Sequence, residues 1–212
     1  MLGERLSQLI PFEALKIAAG LLLLTPAVPL LFMGEEYAET APFQYFTSHS
    51  DHDLIEAVRA GRAAEFGAFR WKGEPPDPQS ESTFAACLLN WELRGQSPHR
   101  ELLAFYRELL SLRRTLPALQ RIDKNASHAE IGSEVLVLHR KHSRHPVTAV
   151  FNLGSKVARF DFPADPGIWT LLLDSSDIRF GGPGKSLPST ISEPGETHLS
   201  LGDYQMGLFV RA

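Results

Sequence analysis

Apolar side chains dominate the first part of the chain in a pattern that predicts a helix. Between residues 4 and 24, polar side chains mark one side of the stretch, and its second half is apolar nearly all round. An apolar surface this wide is typical of a helix that is buried on most sides. Thr25-Pro26 ends the predicted helix, because proline cannot continue one.

A second apolar run, Pro29-Leu30-Leu31-Phe32-Met33-Gly34, follows after a short link. A run bounded by proline and glycine indicates a strand buried on both faces, and helix, link and strand together resemble an α/β unit. One strand cannot build a parallel sheet, so Leu30–Met33 would keep open edges and exposed apolar faces. The pattern therefore predicts part of a larger fold. The alternative is that residues 1–37 pack as a helical addition on the β-rich half of the chain.

The middle of the chain, residues 38–96, is long and irregular. Asp51 or Asp53 can cap a predicted helix over Leu54–Phe66. The proline-rich stretch at residues 74–79 requires extended or turning backbone. Long loops of this kind inside compact domains are uncommon and are often functional.

The clearest helix of the sequence begins near residue 97. Ser97 suits the N-cap and Pro98 the first helical position. Leu116-Pro117 stops the helix. Its predicted apolar face consists of Leu102, Phe105, Tyr106, Leu109, Leu110 and Leu112.

Beyond residue 120, apolar residues no longer recur with the spacing of a helix. They alternate with polar residues, with a period of two residues. Short strands separated by turn residues predict an all-β antiparallel sandwich. We place the domain boundary so that residues 1–122 form the first domain and residues 123–212 the second. The predicted strands are Val135–His139, Val147–Asn152, Ala158 to Phe162, Ile168–Leu173, Leu199 to Leu201, and Leu208–Val210.

Composition and charge exclude several classes of function. The net charge of −4 leaves no basic excess for a nucleic acid partner. The apolar run from residue 17 to residue 33 is too short for a membrane span and is broken by proline, and the N-terminus does not resemble a signal peptide. A single cysteine, Cys87, excludes an internal disulfide and fits a reducing compartment, so we expect a cytoplasmic protein.

Two adjacent acids, Glu35 and Glu36, follow the predicted strand together with Tyr37. In parallel α/β folds the carboxyl ends of strands are where sites are built. Adjacent strand residues point to opposite faces, however, so these two acids cannot flank one bond as a catalytic pair. We therefore expect no catalytic pairing of these two acids.

Other polar clusters favour structural roles. His139, His142 and His145 have a spacing compatible with metal ligands but lack acids or cysteines to complete a site. The glycine-rich stretch at residues 181–186 departs from the phosphate-binding pattern at Arg179, where glycine is required, so it indicates a turn. Asp77 is either a substrate contact on a rigid loop or, as we favour, a turn residue.

Combined motifs over nearly the whole chain resemble the malto-oligosyltrehalose trehalohydrolase family of the α-amylase superfamily. The run at residues 29–36 is similar to the superfamily's eighth barrel strand, and later segments narrow the resemblance. These segments are Ala41–Thr47, Phe66, Phe69, Trp71, Pro76–Gln79, Thr83-Phe84, Leu88–Trp91, Arg100–Tyr106, Asp174-Ser175 and Arg179–Gly182.

The resemblance implies the last helices and strand 8 of a TIM (β/α)₈ barrel, followed by an all-β antiparallel sandwich domain. It implies an activity that releases trehalose by hydrolysing the α-1,4 bond beside the trehalose end of maltooligosyl trehalose. The family's three catalytic acids lie at the ends of the fourth, fifth and seventh strands. None is carried over to this chain, so no catalytic residue is assigned and the isolated chain is expected to be inactive. Arg5 lies nearest to the seventh-strand motif, and no catalytic role is attached to it.

The residues expected on the substrate side of the site, or supporting it, are Glu35, Glu36, Tyr37, Phe43 and Gln44. Tyr45 and Trp71 are further aromatic candidates for contact with sugar rings, or for packing of the loop on the barrel. Maltooligosyl trehalose or an α-glucan is the expected ligand of the full-length enzyme, with no metal or other cofactor. The alternatives are the C-terminal part of a glycogen branching enzyme, a non-catalytic module that binds glucan or a protein partner, and a piece completed by a separate chain that supplies the rest of the barrel.

Overall fold

The computed structural model describes residues 3–68, 75–162, 165–192 and 197–211. Within these ranges six helices come first, followed by eight strands. The helices are α1 (Leu6–Leu9), α2 (Phe12–Leu24), α3 (His52–Ala68), α4 (Glu81–Ala86), α5 (His99–Thr115) and α6 (Pro117–Gln120). Short 3₁₀ turns lie at Glu35–Tyr37, Trp91–Gly95, Lys124–Ala126 and Ile178–Phe180.

The predicted single helix over residues 4–24 is wrong, because the structure forms two helices with a break at Ile10-Pro11. Ile10 has extended backbone angles, as the residue before a proline prefers. Pro11 then precedes α2, which runs to Leu24 and ends before Thr25-Pro26 as expected.

The predicted buried strand at residues 29–34 is also absent from the described structure. The side chains of Val28 and Leu30 are 76% and 86% exposed, and the segment has no regular secondary structure. A strand of a parallel sheet exists only through hydrogen bonds to its neighbours, and no described part of this chain lies beside the segment as a strand. The apolar run therefore has no neighbouring strands in the described structure with which it could form a sheet.

The predicted helix over residues 54–66 is confirmed as α3, and Asp51 rather than Asp53 caps it, because Asp51 Oδ1 accepts from Leu54 N at 2.8 Å. Helix α5 begins at His99, one residue later than predicted, and no side-chain cap hydrogen bond is formed there. The predicted stop of α5 at Leu116-Pro117 is confirmed.

The β-rich half contains a six-stranded antiparallel sheet in the order β1-β2-β3-β8-β5-β6 and a separate ribbon of β4 and β7. All six predicted strands form, with ends that differ by up to two residues, and β1 and β6 were not predicted. The strands are β1 (Ser127–Gly132), β2 (Val135–Arg140), β3 (Val147–Asn152), β4 (Ala158–Asp161), β5 (Trp169–Asp174), β6 (Thr190–Ile191), β7 (His198–Leu201) and β8 (Met206–Arg211).

Two apolar cores flank the large sheet. One lies between α2, α5, α6 and the sheet, and includes Leu23, Phe105 and Phe151. The other lies between the opposite face of the sheet and the β4-β7 ribbon, and includes Phe162 and Phe209. The molecule is thus layered as helices, large sheet and ribbon.

Buried cations connect the helical layer to the β-rich half. Lys16 on α2 is fully buried and donates to Ser175 O at 2.6 Å and Phe180 O at 3.1 Å. Arg140 on β2 donates to Leu24 O at 2.6 Å, at the end of α2. None of the helices in the described ranges is long and apolar enough to cross a membrane.

Candidate functional site

The candidate site is built on a tight turn that follows the apolar run. Gly34 has a φ of +85°, a left-handed conformation that favours glycine. A Cβ at this position would lie 2.7 Å from the Cβ of Glu39, so the turn has no room for a side chain. Glu39 N donates to Gly34 O at 2.9 Å, which closes the loop around Glu35–Tyr37.

Glu39 holds this loop together through its hydrogen bonds. Its role was not predicted from the sequence. Its side chain is fully buried and accepts four hydrogen bonds. Oε1 accepts from Thr40 N at 2.7 Å and Ala41 N at 2.9 Å, and Oε2 accepts from Tyr37 Oη at 2.9 Å and Asn90 N at 2.7 Å. Burial by itself raises the pKa of Glu39, but these hydrogen bonds outweigh burial and hold the pKa below its usual value. The carboxylate is therefore a structural anion.

Tyr37, one of the predicted site residues, is buried inside this network. Burial and the adjacent Glu39 carboxylate raise the pKa of Tyr37 to about 12. The carbonyl of Tyr37 lies 2.8 Å from His99 Nδ1 at the start of α5. Tyr37 thus fastens the loop to α5 and presents no exposed surface in the described structure.

Glu35 and Glu36, the two predicted acids, differ in their contacts. Glu35 Oε2 accepts from Phe32 N at 2.9 Å, and its Oε1 accepts from Tyr106 Oη at 3.1 Å. Burial and the Glu35 carboxylate raise the pKa of Tyr106. Glu36 is half-buried and forms no hydrogen bond or ion pair with the described residues. The structure therefore ties Glu35 to α5 and leaves the Glu36 carboxylate available.

Arg5 holds the beginning of the chain against the same loop. Its side chain is only 7% exposed, with Nη1 donating to Met33 O at 2.6 Å and Nε to Ala41 O at 2.5 Å. The guanidinium carbon lies 5.4 Å from the centre of the Phe32 ring. Nη2 is buried and has no hydrogen-bond partner.

A row of aromatic rings runs from this turn along the loop. Phe32 and Phe43 meet edge to face at 4.9 Å, Phe43 and Phe46 at 6.4 Å, and Phe46 and Phe84 at 5.2 Å. Phe43, a predicted site residue, is 41% exposed. Its backbone N donates to Gly3 O at 2.8 Å. The row is thus held in place by the backbone while its rings remain partly exposed.

A groove of about 490 Å³ opens beside the aromatic row. Its lining includes apolar side chains from α2 together with Arg5, Phe32, Glu35, Phe43 and Tyr106. It brings together two of the predicted site residues, Glu35 and Phe43. Glu36, Tyr37 and Gln44 do not line it.

Gln44 and Tyr45 continue the loop away from the groove. Gln44 N donates to Cys87 Sγ at 3.2 Å, which ties this stretch to the end of α4. The Tyr45 ring lies 5.1 Å from the guanidinium carbon of Arg62. The side chain of Phe66 and the whole of Phe69 and Trp71 lie outside the described residues.

Asp77 has a partner rather than being a free acid on a turn. Arg59 Nε and Nη2 donate to its two oxygens at 3.0 and 2.8 Å. This pairing, with a hydrogen bond from Gln79 N, holds the pKa of Asp77 below its usual range. Asp77 therefore fastens the proline-rich turn to α3.

The histidines considered as metal ligands form no such site. Within the residues that the structure describes, no group of three or more histidine, cysteine or acidic side chains is arranged to hold a metal ion. His139 Nδ1 lies 3.0 Å from Thr148 Oγ1, and His142 and His145 stack on each other at 6.1 Å. Gly181 has a φ of +75° and ends a 3₁₀ turn, in agreement with the turn predicted there.

The residues that sequence reasoning missed include contacts between groups distant in sequence. The side chains of Arg5, Glu39 and His99 each contact a backbone atom far along the chain: Ala41 O and Met33 O for Arg5, Asn90 N for Glu39 and Tyr37 O for His99. Such contacts leave no periodic or local signal. The one available hint was that Glu39 follows a tight turn closely enough for its side chain to fold back on it.

Comparison with known proteins confirms the family resemblance. No family model matches the sequence. Malto-oligosyltrehalose trehalohydrolase from Rhizobium sp. (strain M-11) is 37% identical over 187 residues, which are 88% of this chain and 30% of that protein. Proteins of the same name from Arthrobacter ramosus and Deinococcus radiodurans are each 47% identical, over 54% and 56% of this chain and 20% of their own length. The chain thus spans between a fifth and a third of the length of these curated relatives.

Solved structures support the same superfamily. A putative alpha amylase from Salmonella typhimurium superposes with a TM-score of 0.77 at 28% identity, covering 100% of this chain and 33% of that one. The isomaltulose synthase of Klebsiella sp. LX3 superposes with a TM-score of 0.60 at 18% identity, covering 94% of this chain and 38% of that one, and this likeness shows the fold alone. The fold is that of part of an α-amylase family enzyme.

Proposed function

We propose that this chain, a homologue of part of the malto-oligosyltrehalose trehalohydrolases, is the C-terminal part of such an enzyme. The observation that supports this proposal is a sequence identity of 37% between 88% of this chain and a protein of that name. The matched segment is only 30% of that protein. Relatives from five other genera bear the same name. No relative favours the glycogen branching enzyme as an alternative.

The proposed architecture divides the chain into two domains. Residues 1–122 would supply the last helices and the eighth strand of a (β/α)₈ barrel, with the loop after that strand. Residues 123–212 would form the C-terminal β-sandwich. The exposed apolar run at residues 28–33 supports this division, because a barrel would cover it on both sides.

In this role the chain would form a wall of the active site and not its catalytic centre. The four hydrogen bonds to Glu39 fix the loop that presents Phe43. Phe43 offers an exposed aromatic face of the kind on which sugar rings stack. Glu36, in the turn at Glu35–Tyr37, would have a carboxylate available, whereas Tyr37 would act by holding the loop to α5.

The substrate would be maltooligosyl trehalose or a related α-glucan, bound by the whole enzyme. The chain itself would not cleave it, because retaining hydrolysis requires two carboxyl groups about 5–5.5 Å apart across the scissile bond. Glu35 is bound to Tyr106 and to the backbone of Phe32, which leaves Glu36 without a second free acid beside it. The free thiol of Cys87 supports a cytoplasmic location.

A covalent chimera tests the proposal. This chain would replace the matching 187-residue segment of the Rhizobium sp. relative, and trehalose released from maltooligosyl trehalose would be measured. We expect release by the chimera and none by the 212-residue chain alone. A folded chimera without activity, or release by the isolated chain, would contradict the proposal.

A non-catalytic glucan-binding module is the remaining alternative. Calorimetric titration of the isolated chain with maltooligosaccharides distinguishes this alternative from the proposed function, because a glucan-binding module would bind the sugar without the rest of an enzyme. Under our proposal the isolated chain shows no saturable binding, since Phe43 would be one side of an incomplete site.

A further inference from the structure

Strand β1 forms an open edge of the six-stranded sheet. It pairs with β2 along all six of its residues without a bulge, and no described strand lies on its other side. The last five of its six residues are exposed. At the opposite edge of the sheet, β6 has only two residues. Natural edge strands are protected from pairing by shortness, proline, lysine or bulges, and β1 has none of these.

The direction of each backbone group in β1 follows from one hydrogen bond. Ala126 O, just before the strand, accepts from Lys141 N at 2.7 Å, so the backbone of residue 126 points toward β2. In an antiparallel pair, residues whose backbone groups point toward the partner alternate with residues whose groups point away. Even-numbered residues of β1 therefore bond to β2. The outward-pointing backbone groups belong to Ser127, Ala129 and Ile131.

The side chains of β1 carry complementary groups on either side of Ala129. His128 and Glu130 lie side by side on one face, with Nε2 of the histidine 3.1 Å from Oε1 of the glutamate. Both side chains are more than half exposed, at 58% and 56%. On the other face, Ile131 is 66% exposed. The exposed edge thus offers free backbone groups, a basic group, an acidic group and an apolar side chain.

We propose that β1 pairs antiparallel with β1 of a second copy of this chain, with Ala129 on the two-fold axis. This register brings the outward-pointing backbone groups of the two strands together, because Ser127 of each copy faces Ile131 of the other. It also places His128 of each copy opposite Glu130 of the other. A two-fold interface requires a surface that is complementary to itself, and opposite charges facing each other across two strands are stabilising.

Other two-fold registers of the same strand are less favourable. An axis between two residues would set an outward-pointing residue against one that points toward β2, so the hydrogen bonds could not form. An axis at His128 would place the two histidines opposite each other. An axis at Glu130 would place two carboxylates opposite each other, which is destabilising. Axes at the ends of the strand would shorten the overlap.

Sedimentation velocity of the 212-residue chain over a series of concentrations is the first test. Pairing along one short strand buries less surface than a permanent dimer does, so we expect a dimer that dissociates at roughly 10–100 μM. A chain that stays monomeric at about ten times these concentrations overturns the proposal.

A proline substitution tests whether the outer edge of β1 forms the dimer. Ala129→Pro removes an N–H that points outward and leaves the hydrogen bonds to β2 in place, a position at which edge strands tolerate proline. We expect this variant to remain monomeric at all concentrations, with circular dichroism confirming its fold. Leu30→Ser, in the exposed apolar run, is the control and should leave dimerisation unchanged. A dimer that survives in folded Ala129→Pro, or is lost in Leu30→Ser, overturns the proposal.

A charge exchange tests the register. Glu130→Lys should weaken the dimer about tenfold or more, because the two-fold axis makes each substitution act twice. Adding His128→Glu to Glu130→Lys restores opposite charges across the axis and should return the affinity to within about threefold. Failure of the second substitution to restore the dimer overturns the proposed register.

A cysteine at the axis gives an answer even if Ala129→Pro does not fold. Opposed residues of a hydrogen-bonded pair have Cα atoms about 5.5 Å apart, within the ~4.4–6.8 Å that a disulfide spans. Ala129→Cys should therefore form a disulfide-linked dimer under mild oxidation. Ser143→Cys, exposed in the turn between β2 and β3, should not. The unsubstituted chain controls for the buried Cys87. Equal cross-linking of the two variants, or none in Ala129→Cys, overturns the proposal.

Discussion

Replacing Glu39 by glutamine should destabilise the loop that carries the candidate site. The substitution keeps the size of the side chain and replaces one oxygen by an NH₂ group. Each carboxylate oxygen faces two donors, so either orientation of the amide places its NH₂ against donors. The orientation toward Tyr37 is the better one, because the tyrosine hydroxyl can rotate and accept, but Asn90 N then loses its acceptor.

The size of the effect follows from these contacts. A buried amide left without an acceptor costs ~1–3 kcal/mol. The remaining hydrogen bonds also change from charged to neutral ones, which are roughly half as strong. Together these terms give a loss of about 3 kcal/mol, a large share of the ~5–15 kcal/mol by which a domain is stable. The midpoint of thermal unfolding should fall by roughly 6–12 °C for a chain of this length.

Denaturant unfolding followed by circular dichroism measures this loss, with Tyr37→Phe as the matched comparison. Tyr37→Phe removes one donor and leaves the Glu39 carboxylate with three, so we expect a loss of about 1 kcal/mol. Equal stability of Glu39→Gln and the unsubstituted protein would refute the reasoning. A smaller loss in Glu39→Gln than in Tyr37→Phe would also refute it.

Two further substitutions probe the turn and the contact between the layers. Gly34→Ala should destabilise by ~1–2 kcal/mol in the same assay, because the left-handed backbone and the nearby Glu39 Cβ oppose a side chain; Gly61→Ala in α3, where a Cβ meets open space, should be neutral or stabilising. Lys16→Met should cost about 2–4 kcal/mol, because two buried carbonyls lose their donor. Lys185→Met, at an exposed ion pair, should change stability by less than about 1 kcal/mol, and equal effects at the two lysines would contradict the role of Lys16.

Elements with a strong local pattern were predictable from the sequence. Helix α5 has an apolar face and charged ends, and β3 was predicted with its observed bounds because its residues are apolar and flanked by turns. Strand β1 was not predicted because its sequence is polar and its residues are mostly exposed at the sheet edge. It exists through its register with β2, which only the folded sheet provides.

The strand that was predicted at residues 29–34 and is absent from the described structure, and the unpredicted role of Glu39, have the same physical origin. The apolar run carries the composition of a buried strand, but hydrogen bonds to neighbouring strands decide whether it becomes one. The carboxylate of Glu39 carries no sign of its four donors, since three of them are backbone amides. Sequence composition predicts what a segment can bury and not which partners it meets.

On acidification, the loop around Glu39 should lose its structure at a higher pH than α2 does. The loop is held by a carboxylate that titrates, whereas the end of α2 is held by hydrogen bonds to backbone carbonyls. The pKa of Glu39 is lowered in the folded chain, so its contribution to stability is present above the ordinary glutamate value of about 4.5 and is lost as pH falls through the lowered folded value. The end of α2 is held by Arg113 and Arg140 on backbone carbonyls, which do not titrate in this range. Hydrogen exchange measured from pH 6 downward should therefore show the amides of Thr40 and Ala41 losing protection before those of α2, whereas simultaneous loss would mean that the loop and the helical layer unfold as one unit.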